Sequence, residues 1–70
     1  MRGVLRVLDK TGDSEYPWDT SDEGSVAVAE REFDKVRAAH GAVLTPSGKK
    51  LDRFDPSEAE MIGVPQMVGG

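Results

Sequence analysis

The sequence predicts an α+β domain in which a mixed sheet, in the order ββαβββ, packs on one long helix. Three observations carry that prediction. Apolar residues recur at the helical period from Val26 to His40, and short runs of β-branched and other apolar residues stand on either side of that stretch. Gly, Pro, Asp and Ser punctuate the gaps between the runs.

Residues 2–8 are short, apolar and β-branched, and read as the first strand. Lys10, Thr11, Gly12 and Asp13 supply turn chemistry, with Gly12 free to take a positive φ. Residues 14–18 form a second strand, with Tyr16 and Trp18 sharing one face at period two. There the two aromatics are expected to cover the sheet or help close the core. Pro17 has no amide hydrogen, which either confines this strand to a sheet edge or ends it.

The acidic run Asp19, Thr20, Ser21, Asp22, Glu23 reads as a helix start. Thr20 and Glu23 have the spacing of a capping box, and the acids suit the positive end of the helix dipole. Val26, Ala29, Phe33, Val36 and His40 fall on one stripe, with Glu30, Arg31, Asp34 and Lys35 mostly outside it. Lys35, Arg37 and His40 gather at the far end, and Gly41 is placed as the C-cap. Residues 42–45 then form a short strand, Pro46, Ser47 and Gly48 a turn, and residues 50–54 another strand. Asp55, Pro56 and Ser57 form a turn or a single helical turn, and the last strand lies at 61–64 and runs into Pro65.

Composition bounds the function. Seventy residues make one domain with a small core, and with no cysteine there is neither a disulfide nor a thiolate metal site. That usage fits a reducing compartment, and with no apolar segment of spanning length the expected location is the cytoplasm, away from membranes. Thirteen acidic residues against nine basic leave a net charge of −4, the opposite of a nucleic-acid footprint.

A strand hairpin, one long helix and further strands that close in Gly69 and Gly70 resemble the ubiquitin-like β-grasp plan. The segment from Phe54, Asp55 and Pro56 through Met61, Ile62, Gly63, Val64, Pro65, Gln66, Met67, Val68, Gly69 and Gly70 is similar to the ends of the MoaD and ThiS sulfur carriers. Gln66 stands where carriers of the molybdopterin type usually have a second proline. The resemblance implies a β-grasp domain over 1–64 and an extended Gly-Gly tail over 65–70. It further implies a carrier or modifier whose Gly70 carboxylate a ubiquitin-activating-like partner adenylates with ATP, for sulfur transfer or for conjugation to target proteins. On that reading no cofactor is bound by the chain itself, and ATP is consumed by the partner.

The residue types of the tail suit such a role. Pro65 ends the strand ladder, Met67 and Val68 offer apolar grip to a partner, and Gly69 and Gly70 let backbone approach a nucleotide closely. Lys10, Lys35, Lys49 and Lys50 are candidate acceptors if the chain is conjugated to itself, although solvated lysines are the default in any small domain. The alternative function is a non-catalytic β-grasp interaction module, of the phage or assembly-associated kind, whose tail is never activated.

Two other constellations stand in the sequence. Asp19, Ser21, Glu23 and Glu30 occupy calcium-loop positions one, three, five and twelve, with Gly24 at six. Pro17 and Gly12 leave no entering helix for such a loop, and an acidic helix start produces the same letters. His40 is the single histidine, expected as a helix-end cation or a partly buried polar group. Neither Ser47 nor Ser57 is marked as an activated nucleophile beside it, so an enzyme acting alone is the reading least supported.

Overall fold

A computed structural model describes residues 1–9 and 12–65. The elements are β1 (Arg2–Asp9), β2 (Gly12–Asp19), α1 (Glu23–Ala38), β3 (Ala42–Leu44), β4 (Lys50–Leu51) and β5 (Glu60–Val64). The expected ββαβββ order is therefore present. The sheet runs β2-β1-β5-β3-β4. β1 and β5 pair in parallel at its centre, and the β1–β2, β3–β5 and β3–β4 pairs are antiparallel. Alternation along each strand sends Leu5, Trp18, Val43, Leu51 and Met61 to one face, where α1 contributes Ala29, Phe33 and Val36. All eight are buried.

The two aromatics on β2 behave as their spacing predicts. Trp18 is buried and Tyr16 packs at the margin of the core. Pro17 lies on the sheet edge, as the missing donor requires. Gly12 opens β2 at φ 127°, a conformation closed to ordinary side chains.

Other expectations need correction. The helix has 16 residues, about 24 Å at 1.5 Å per residue, so it is of ordinary length rather than long. Its N-cap is Asp22, not Thr20. Asp22 Oδ1 accepts from Gly24 N at 3.1 Å and Ser25 N at 3.3 Å. Thr20 instead closes the β1–β2 ladder, with its amide on the Met1 carbonyl at 2.8 Å. Both residues have capping side chains, but pairing with Met1 holds Thr20 and leaves Asp22 at the helix start.

The C-terminal end also differs. His40 is exposed and off the apolar stripe, because the helix stops at Ala38. His40 takes φ 61° and occupies the left-handed position assigned above to Gly41. The His40 amide donates to the Arg37 carbonyl at 3.0 Å and the Gly41 amide to the Val36 carbonyl at 2.8 Å, the two bonds of a Schellman motif. Gly41 serves close packing instead. A Cβ there would lie 2.7 Å from the Val64 carbonyl oxygen and 2.8 Å from Val36 Cγ1.

The strand expected over 50–54 is only Lys50–Leu51. Arg37 Nη1 donates to the Leu51 carbonyl at 3.3 Å and to Asp52 Oδ1 at 3.2 Å, taking backbone that a longer ladder would use. Phe54 turns inward. Its ring meets Trp18 edge-on at 5.0 Å between centroids and Phe33 at 6.0 Å, so the core outweighs strand propensity here.

Candidate functional site

The candidate site is the root of the C-terminal tail, where β5 ends. Glu60–Val64 is held on both flanks, by β1 and by β3, so its exit point is fixed from two sides. Val36 presses the helix down onto this end of the strand. A Cβ on Gly63 would lie 3.3 Å from Val36 Cγ2, and Gly41 accepts the same valine from the other side. The ladder stops at Val64, and Pro65 follows outside it, half-buried. The missing amide hydrogen of Pro65 explains the stop. Met67, Val68, Gly69 and Gly70 lie outside the described residues, as does Lys10.

The side chains opposite the core surround this exit. By alternation, Leu8, Ala42, Leu44, Ile62 and Val64 share the sheet face that α1 does not cover. The registers Leu44↔Ile62 and Ala42↔Val64 bring four of them side by side. Leu8 is 39% exposed and the other four are half-buried. Charged groups border the patch. Arg6 Nε stands 3.6 Å from Glu60 Oε1 and 3.8 Å from Glu15 Oε1, and Lys50 is opposite Leu44. All are solvated, so these ion pairs set the charge of the border and add little stability.

This patch escaped the sequence reading. Residues 61–64 are apolar or glycine throughout, so hydropathy cannot tell the face that meets the helix from the face that does not. Strand alternation, counted from a buried Met61, would have separated them.

The remaining candidates are dispersed. Lys35 is exposed on α1, with Nζ 3.0 Å from Glu32 Oε2, while Lys49 is exposed just before β4 and Lys50 is exposed at its start. The twelve residues from Asp19 do not make a loop, since Glu23 to Glu30 are two turns of α1 and their carboxylates are spread along it. Asp19 Oδ1 accepts from Ser21 N and Ser21 Oγ, and its other oxygen faces Arg2. The Ser21 bonds, with Arg2 adding to them, hold the Asp19 carboxyl below the usual carboxylate range. Asp55 is lowered in the same way by the hydroxyl and amide of Ser57. Among the described residues no group of three or more His, Cys, Asp or Glu side chains gathers to hold a metal. Ser47 bonds to Thr45 and Ser57 to Asp55, and neither is joined to His40. No helix of the described residues is long and apolar enough to cross a membrane.

Comparison with known protein families, with curated proteins and with solved structures finds no match to this chain.

Proposed function

We propose that the chain is a ubiquitin-like β-grasp carrier or modifier, similar in plan to the MoaD and ThiS sulfur carriers. Its Gly70 carboxylate is the reacting group, activated by an ATP-dependent partner for sulfur transfer or for conjugation to a target protein. The observation that carries this reading is the position of β5. The last strand is central, parallel to β1, and released from the ladder at Pro65. A tail leaving from there starts at a fixed point on a rigid sheet, and Gly69 and Gly70 are the residues best able to enter a narrow cleft.

The partner performs the chemistry on this reading. It transfers an adenylyl group from ATP to the carboxylate with release of pyrophosphate, and a sulfur or amine nucleophile then displaces AMP. This chain supplies the carboxylate, the extended approach to it and a surface to grip.

A second reading is favoured by the uncovered patch of Leu8, Ala42, Leu44, Ile62 and Val64, which would serve an interaction module with no reaction at the tail. Two measurements separate the readings. The intact mass of the protein from its native source first identifies the residue that bears the terminal carboxylate, and an increment equal to sulfur minus oxygen marks a thiocarboxylate. ATP–pyrophosphate exchange with the cognate activating enzyme is then expected for the full chain and lost on deletion of Gly69 and Gly70, with the melting temperature unchanged. Binding without exchange would overturn the carrier reading in favour of the module.

A further inference from the structure

The long outer edge of the sheet is β2, and hydrogen-bond parity identifies which of its backbone groups face outward. The Thr20 amide donates to Met1 across the β1–β2 pair, whereas the Val4 amide donates to Ala59 on the β5 side. Antiparallel partners alternate between residues that exchange both bonds and residues that exchange none. With the register Gly3↔Trp18, Leu5↔Tyr16 and Val7↔Ser14, the even residues of β2 bond to β1. Asp13, Glu15, Pro17 and Asp19 therefore turn their amides and carbonyls away from the sheet.

These four positions are not equivalent. The Asp19 amide donates to Ser25 Oγ at 2.9 Å. The Asp19 carbonyl accepts from the Asp22 amide at 2.8 Å, and Ser25 Oγ stands 3.3 Å from it. Pro17 has no amide hydrogen to offer. The half of the edge nearest α1 is thus closed, by a hydroxyl from the first helical turn and by a missing donor. Asp13 and Glu15 keep outward groups with no partner among the described residues, and both side chains are carboxylates.

An open edge is a template for another strand. A second copy adding antiparallel along β2 would meet a turned and capped chain at Asp19, no donor at Pro17, and carboxylates facing its own at Asp13 and Glu15. We infer that Pro17 and Ser25 form a lock that closes this edge to strand addition by a second copy of the chain, leaving a window at Asp13 and Glu15 too short and too acidic to hold one. The lock is independent of whether the tail is activated.

Sedimentation velocity on the full chain, from about 10 μM to about 1 mM, tests this directly. Wild type is expected to stay monomeric throughout. Pro17→Thr restores the donor, and Pro17→Thr with Ser25→Ala also frees the Asp19 amide. The double variant should self-associate at least about tenfold more tightly than wild type, with slowed hydrogen exchange at the Asp13 and Glu15 amides. Pro17→Ala restores the amide with a smaller change and keeps Ser25, so it decides the matter if the other variants fail to fold. Variants that keep native circular dichroism and remain monomeric at the highest concentration would overturn the inference. So would a wild-type dimer with those two amides protected.

Discussion

His40 holds a backbone conformation that suits glycine, and replacing it gives a quantitative test of how the helix is joined to the last strand. At φ 61°, the Cβ of His40 crowds the backbone, at a cost of about 1–2 kcal/mol for an L residue. Glycine relieves that strain but adds about 0.4–1 kcal/mol of unfolded-state entropy to be lost on folding. The exposed imidazole gives up little packing. His40→Gly should therefore stabilise the domain by about 0.5–1 kcal/mol. At about 4–8 °C per kcal/mol for a domain of this size, the melting temperature rises by about 2–8 °C.

Urea and thermal unfolding, followed by far-ultraviolet circular dichroism and by Trp18 fluorescence, would measure the change. His40→Ala keeps the Cβ and should leave the midpoint close to wild type. Gly41→Ala should be strongly destabilising, because its new methyl meets the Val64 carbonyl at 2.7 Å and Val36 on the other side. If His40→Gly leaves the midpoint unchanged or lowers it, the strain argument fails. If Gly41→Ala is tolerated, the close seating of the helix end on β5 fails with it.

Other substitutions probe the rest of the frame. Gly3→Ala would put a Cβ 2.2 Å from Trp18 Cζ2, so the indole must move. A loss of about 1–3 kcal/mol in urea unfolding, with a red-shifted Trp18 emission, is expected. Asp22→Ala should cost about 1 kcal/mol through the lost N-cap. Thr20→Ala, which touches no helical amide, should leave helix content by circular dichroism unchanged, and an equal loss of helix in both variants would contradict the capping assignment. The lowered carboxyls of Asp19 and Asp55 fix the sign of one pH effect. Their contribution is complete above the ordinary carboxylate value of about 3.9 and is lost as pH falls through the lower folded-state values. Wild type should lose stability more steeply in that acid window than the Asp19→Asn, Asp55→Asn variant, and parallel profiles would remove both groups from the account.

Much of the frame was legible in the sequence because local signals there agree with tertiary demands. The helical stripe of Ala29, Phe33 and Val36 is the face that is buried, and Pro17 and Gly12 stand where an edge strand and a positive φ accept them. Legibility failed where two residues competed for one role. Thr20 and Asp22 are both fit to cap, and pairing with Met1 removed Thr20. Leu51 and Phe54 suggest a strand over 50–54, but Phe54 gains more from Trp18 and Phe33 than from continuing the ladder.

The candidate site divides along the same line. Pro65, Met67, Val68, Gly69 and Gly70 were conspicuous as letters, since proline and glycine declare backbone properties without reference to any partner. The patch beside Pro65 was not. Leu8, Ala42, Leu44, Ile62 and Val64 come from three strands, and hydropathy alone gives no reason to set them apart from Leu5, Val43 and Met61. By itself the sequence determined the element order, the buried stripe of the helix and the place where the ladder must end. Tertiary structure alone decided which apolar residues face outward, because a helix covers one side of a sheet and burial on that side leaves the alternate residues uncovered.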